Sequence, residues 1–181
     1  MLGRHQGCVG GLGASRRYAM KRPTWNDPAV IKATAERLLP EVLGWLVSQG
    51  PREADDGSVM RELEWGLGGY LDGYAIAKRL DSWDPDAELV GILDGASRHS
   101  LEALDDAIAA WVRDNNVTIP LVVGDLVRNA RGRWDGEVID LKPETAEVLV
   151  YCAALGHVRE GFGARGVYVP FEQLERIGFK T

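Results

Sequence analysis

The chain has few of the residues from which enzymes most often build active sites. Its 181 residues include three histidines and two cysteines. His5, His99 and His157 are scattered, with no cysteine or acid at the spacing of a metal site, and no serine stands in a nucleophile elbow. We therefore expect a binding protein without metal or cofactor rather than an enzyme. An enzyme that uses the cleft between two parts of the chain stays open as a remote alternative.

Long apolar runs and a cysteine framework are also lacking. No apolar run approaches the roughly 20 residues that a membrane-spanning helix requires, and the first 23 residues lack the apolar segment of a secretory signal. Cys8 and Cys152 lie in different contexts, which is typical of a reducing compartment. These patterns predict a cytoplasmic protein, for which either Met1 or Met20 is the start.

Charge divides the chain into three segments. Residues 1–23 hold five arginines or lysines and no acid, residues 24–117 hold 18 acidic against 8 basic residues, and residues 118–181 hold 9 against 8. We predict a flexible basic leader over 1–23 and an acidic helical domain over 24–117. The negative charge of this domain disfavours direct binding of nucleic acid.

Apolar residues recur at three- and four-residue spacing between residues 26 and 116, which predicts helices. Prolines, glycines and capping residues divide this region into a bundle of about four helices with short connections. The predicted helices run from Asp27-Pro28 to Gly50-Pro51, from about Ser58 to Leu80, from Asp84-Pro85 to Leu93, and from a cap at Ser97 or Ser100 to Asn115-Asn116.

The second predicted helix is unusual because it contains four glycines, at positions 66, 68, 69 and 73. Each costs a helix interior about 1 kcal/mol relative to alanine. Either the helix breaks or closely approaches another helix there, or a partner's backbone contacts this surface beside Trp65. Trp45, Trp83 and Trp111 are instead expected to lie in the core.

Acidic residues cluster around the start of the same helix. Such a cluster is either a solvated face, a surface that docks a basic protein, or one that imitates the phosphates of nucleic acid. We name the candidate the acidic surface, and its residues are Asp55, Asp56, Glu62, Glu64, Trp65 and Asp72.

After residue 118 the pattern changes to that of strands. β-branched and alternating residues predict strands over 121–127, 136–141, 146–152 and 166–169, followed by one helical turn over 170–174. Short strands joined by tight turns are typical of a small β-barrel, here over residues 118–181. The predicted fold class is therefore α+β.

Part of this region resembles a known family of barrels. The segments Gly124-Asp125-Leu126-Val127, Gly132-Arg133-Trp134-Asp135-Gly136-Glu137-Val138, Glu147-Val148-Leu149-Val150 and Val169-Pro170-Phe171-Glu172-Gln173-Leu174-Glu175 resemble SH3-like barrels of the KOW-containing type. Such barrels occur in ribosomal proteins and transcription elongation factors, where they bind RNA or protein. The resemblance implies an SH3-like barrel over about residues 120–179.

Two loops of the predicted barrel carry basic and aromatic residues. In a meander the first–second and third–fourth connections emerge at the same end, where such residues together bind phosphates and stack bases. Alternatively, the loops are solvated and their arginines pair with Glu160, Asp135 or the acidic helices. We name the candidate the basic rim, and its residues are Arg128, Arg131, Arg133, Trp134, His157, Arg159, Phe162 and Arg165.

Besides the enzyme alternative, these surfaces leave two functions open. The first is an adaptor or regulator whose acidic surface holds a protein partner while the basic rim contacts RNA, DNA or a nucleic-acid-associated complex. The second is a phage-encoded inhibitor of a bacterial defence system, similar to anti-CRISPR proteins, whose acidic surface occupies a channel built for nucleic acid. The sequence does not specify the oligomeric state.

Overall fold

The computed structural model describes residues 21–50, 55–69, 72–130, 134–152 and 166–179. In this part of the chain, helices come first and strands follow, so the architecture is mixed α+β as predicted. The helices are α1 Pro28–Ser48, α2 Asp56–Leu67, α3 Gly73–Arg79, α4 Ala87–Leu93 and α5 Ala96–Asp114. The strands are β1 Asp125–Asn129, β2 Asp135–Lys142, β3 Glu147–Tyr151, β4 Val167–Pro170 and β5 Leu174–Phe179.

The first helix is the one that the sequence predicts. Asp27 is the N-cap, Pro28 occupies the first turn, and the helix continues through Pro40 to Ser48. Gly50 beyond its end has a φ of +112°, a conformation that glycine adopts at little cost. The Asp27-Pro28 and Gly50-Pro51 signals therefore predicted the bounds of this helix, although the Asp27 carboxylate accepts from Thr24 and makes no capping bond to α1.

The predicted second helix is wrong, because the chain forms two helices there. After Leu67 the backbone leaves the helical conformation, Gly69 has a φ of +87°, and Asp72 begins α3 by accepting a first-turn N–H at 2.9 Å. A Cβ on Gly73 would lie 2.6 Å from the carbonyl oxygen of Val90, so α3 approaches α4 more closely than any larger residue permits. The glycines thus mark both a break and a close approach.

The predicted starts of the next two helices also differ from the structure. Asp84 has a φ of +54° and lies outside α4, whose N-cap is Asp86; the Asp86 carboxylate accepts a first-turn N–H at 2.9 Å. The N-cap of α5 is Gly95, and Ser97 and Ser100 lie inside the helix. Sequence spacing alone did not distinguish between neighbouring residues that can all act as caps.

The helices surround a common apolar core. Trp45 and Trp83, which the sequence assigns to the core, are both buried there. A smaller cluster joins α1 to α5 through Val30, Leu104 and Ile108. The fully buried members of the main core include Ala35, Leu38, Val42, Leu63, Ile76, Leu89, Leu93 and Ala96.

The strands form one antiparallel sheet in the order β4-β3-β2-β1-β5. The sheet is open: in the described residues, no ladder joins β4 to β5. A single 3-10 turn, Phe171–Gln173, connects these two strands where the sequence predicts a helical turn. Strand β5 was not predicted, because Leu174–Phe179 lacks a clear alternation of apolar and polar residues.

The first strand begins four residues later than predicted. Residues 122–125 form a turn in which the Asp125 carboxylate accepts the Val122 N–H at 3.0 Å and Gly124 has a φ of +93°. Asp125 is fully buried, and its other oxygen lies 2.7 Å from a guanidinium nitrogen of Arg176 on β5. The acid therefore ties β5 to the turn before β1.

Helix α5 connects the two parts of the fold. Its Trp111 is buried, but in the core of the sheet rather than among the helices, where it joins Val127, Val138, Val148 and Phe171. One turn earlier, Ile108 packs toward α1. A single helix thus contributes to two cores, which fixes the sheet against the helical part.

Candidate functional site

The acidic surface lies on α2 and on the N-cap residues directly before α2 and α3. Trp65 is its main apolar group, with 58% of its surface exposed. The Arg79 guanidinium lies over the indole, 4.3 Å from the ring centroid, and its Nη1 donates to the Gly68 carbonyl oxygen at 2.6 Å. Because the arginine is bound to the backbone at the helix break, it favours this position of the exposed indole by about 0.5–1 kcal/mol.

Several carboxylates of the acidic surface also stabilise the helices. Asp55 caps α2 by accepting the Ser58 N–H at 2.9 Å, and Asp72 caps α3. Glu62 accepts a hydrogen bond from the Trp83 indole. The acidic surface is thus built partly from carboxylates whose hydrogen bonds fix the ends of α2 and α3.

Asp86 is a further acid with a connecting role that the sequence analysis missed. Its carboxylate accepts the Leu89 N–H at 2.9 Å, the Trp45 indole N–H at 3.1 Å and the Gln49 amide at 3.3 Å. The Leu89 N–H, and to a smaller extent the Trp45 indole, hold the pKa of Asp86 below its ordinary value. The residue therefore joins α1 to the start of α4.

Two residues of the basic rim lie in the described part of the chain. The Arg128 guanidinium donates two hydrogen bonds, both 2.7 Å, to the Asp135 carboxylate; this contact raises the pKa of Arg128 and lowers that of Asp135. Trp134 is partly buried against the core of the sheet. The other predicted rim residues lie outside the described residues: Arg131, Arg133, His157, Arg159, Phe162 and Arg165.

A groove that the sequence analysis did not predict lies where α5 meets the sheet. We call it the junction groove; its volume is about 650 Å³. Its apolar lining includes Trp111, Leu121, Phe171 and Leu174, and its cationic lining includes Lys21 and Arg176. These residues come from four separate segments, so no local sequence pattern could have indicated the groove.

Arg22 fixes one wall of the junction groove. Its Nη2 donates to the Thr145 carbonyl oxygen at 2.7 Å, and its Nη1 lies 3.3 Å from that of Ala146. The guanidinium also lies 3.5 Å from Glu172 and 5.8 Å from the Trp111 ring centroid. Although the charge pattern assigned Arg22 to the leader, its side chain is only 17% exposed and joins the N-terminal segment to the sheet.

Other kinds of site have little support among the described residues. No group of three histidines, cysteines or acids there is arranged to hold a metal ion. Cys152 is buried directly after β3. None of the helices described above combines the length and apolar character needed to cross a membrane.

Comparisons with known proteins give no family assignment. The chain matches no protein-family model, no curated protein and no solved structure. Function is therefore inferred from the surfaces themselves.

Proposed function

We propose that this is a non-catalytic adaptor that binds a basic protein partner through the acidic surface. The observation that carries the proposal is the exposed Trp65, held in place by Arg79 at 4.3 Å. Tryptophan is enriched among the residues that dominate binding energy in interfaces. An indole that is already ordered loses little further conformational freedom when a partner covers it, which favours affinity.

The surrounding charges select the kind of partner. Asp55, Asp56, Glu62 and Asp72 are exposed, and Glu64 is partly exposed. Complementary charge accelerates association and disfavours partners of the same sign. A lysine- or arginine-rich protein surface is therefore the expected counterpart, including one that belongs to a nucleic-acid-processing complex in the cytoplasm.

For the C-terminal part, we propose that the open sheet is a variant of the SH3-like barrel. Three features support this assignment: a four-stranded meander, a fifth strand that returns beside the first, and the single 3-10 turn Phe171–Gln173 between β4 and β5. An experimental structure with the two edge strands far apart and a flat sheet would contradict it.

The adaptor proposal is tested by site-specific photocrosslinking followed by reconstitution. A photoreactive phenylalanine analogue at position 65 should crosslink one basic protein in the native cell, whereas the same analogue at Val47 should not. Val47 is the matched control, because it is 78% exposed and lies on α1, which carries no residue of the acidic surface.

The crosslinked protein is then purified and titrated calorimetrically with defined variants. Trp65→Ala should weaken binding at least about tenfold, as expected of a central interface aromatic, and Val47→Ala should leave the affinity within about twofold. Arg79→Met, which removes the group that orders the indole, should weaken binding less than Trp65→Ala. Equal affinity of Trp65→Ala and wild type would overturn the proposal.

A further inference from the structure

The junction groove differs in charge from the helical part of the molecule. Residues 24–117 hold 18 acids against 8 bases, whereas the groove is lined by Lys21, Arg22 and Arg176 against a single acid, Glu172. Arg22 is engaged with two carbonyl oxygens and with the carboxylates of Glu147 and Glu172. Arg176 is exposed but lies 2.7 Å from the buried Asp125, so the positive charge of the groove rests mainly on the exposed Lys21. A single lysine at the edge of the groove thus favours an anionic group there.

The lining of the groove beneath these charges is apolar. Trp111 and Phe171 are buried members of the core of the sheet, and Leu174 is partly buried beside them. The ends of their side chains that border the groove offer a contact surface for an apolar ring or chain. Small-molecule sites commonly combine such a lining with a few charged groups, and they range over roughly 300–1,000 Å³, which includes the 650 Å³ of this groove.

We propose that the junction groove binds a small apolar molecule that carries a carboxylate. Its apolar body lies against Trp111, Phe171 and Leu174, and its carboxylate lies at Lys21. Arg176 provides a second positive charge, although its guanidinium is already 2.7 Å from the buried Asp125. This site is independent of the acidic surface, since none of its lining residues belongs to that surface.

Two matched probes test the proposal with the full chain: 2-naphthoate and its uncharged analogue 2-naphthalenemethanol. Both offer the same ring system, so the ratio of their affinities measures the contribution of charge. 2-Naphthoate should bind about fivefold more tightly, the effect expected of one or two exposed cations in water. Equal affinities, or no saturable binding of either probe, would overturn the proposal.

Variants then locate the charge. Lys21→Met keeps the apolar stem of the side chain and should remove most of the preference for 2-naphthoate, with little effect on the alcohol. Lys32→Met is the matched control: Lys32 is 61% exposed on α1 and pairs with Glu36, so its loss should leave both affinities unchanged. Gln173→Glu, which adds a negative charge to the lining, should weaken 2-naphthoate alone. An unchanged ratio in both Lys21→Met and Gln173→Glu would contradict the site.

Two-dimensional NMR of the tryptophan indoles identifies where the probe binds. The Trp111 and Trp65 signals are assigned from Trp→Phe variants at the two positions. 2-Naphthoate should shift the Trp111 indole signal and leave that of Trp65 in place. The opposite pattern would assign the binding to the acidic surface and overturn the groove proposal, whereas loss of the adaptor activity alone would leave it unaffected.

Discussion

Arg22 is predicted to contribute more to the free energy of unfolding than the exposed Arg113. Arg22→Met retains much of the apolar stem near Trp111 but removes the guanidinium that donates to the Thr145 carbonyl oxygen at 2.7 Å and approaches Glu172 at 3.5 Å. Hydrogen bonds from charged groups contribute about 1.5–3 kcal/mol, so the free energy of unfolding should fall by about 2 kcal/mol.

Urea and thermal unfolding, followed by circular dichroism, measure this loss. For a chain of this size, about 2 kcal/mol corresponds to a decrease in Tm of about 4–8 °C. Arg22→Lys should recover only part of the loss, because an ammonium cannot reproduce the planar fork that reaches two carbonyl oxygens.

The matched control for Arg22 is Arg113→Met. Arg113 is 75% exposed and pairs with the adjacent Asp114 at 3.1 Å, so its replacement should change the free energy of unfolding by less than about 0.5 kcal/mol. If Arg22→Met unfolds at the same urea concentration as Arg113→Met, Arg22 does not join the N-terminal segment to the sheet as inferred.

Three further predictions concern other parts of the fold. Gly73→Ala should lower the free energy of unfolding by about 1–3 kcal/mol through overpacking, whereas Gly91→Ala, where a Cβ meets nothing within 4 Å, should be neutral or stabilising in the same urea assay. Because the pKa of Asp86 is lowered in the folded state, its ionised carboxylate stabilises the fold above about pH 4, and this stabilisation is lost as the pH falls through the folded pKa. The difference in the free energy of unfolding between wild type and Asp86→Asn, measured in urea, should therefore shrink at pH 3. Arg128→Ala should lower the free energy of unfolding by no more than about 1 kcal/mol, because its pair with Asp135 is bidentate but exposed; a larger loss would contradict that assessment.

Local sequence chemistry predicted the elements whose boundaries depend on neighbouring residues. Asp27-Pro28 and Gly50 bounded α1 correctly, and the expectation that Trp45 and Trp83 lie in the core was confirmed. The break before α3 was not resolved, because the same glycines suit a kink, a close approach or a partner contact. The backbone at Gly69 shows the break, and the position of α4 against Gly73 shows the close approach.

Features that depend on contacts between distant segments could not be predicted. The sequence predicted that Trp111 is buried, but it could not indicate in which of the cores. Its partners Val127 and Phe171 follow it in a separate region of the chain. The junction groove requires Lys21 to lie near β5, a separation of more than 150 residues in the chain. The periodicity of residues within one segment does not indicate such a contact.

The charge of the acidic surface could be predicted from the sequence, but the role of each acid could not. Asp55 and Asp72 cap helices, whereas Asp56 and Glu64 accept no hydrogen bond described above, yet all four contribute to one negative potential. Replacing a capping aspartate by alanine would remove the cap and the charge together, so reduced binding could not be attributed to either. Asparagine keeps the capping oxygen and removes only the charge. A partner that recognises potential should therefore respond alike to Asp55→Asn and Glu64→Gln, while one that needs the folded ends of α2 and α3 should not respond to either.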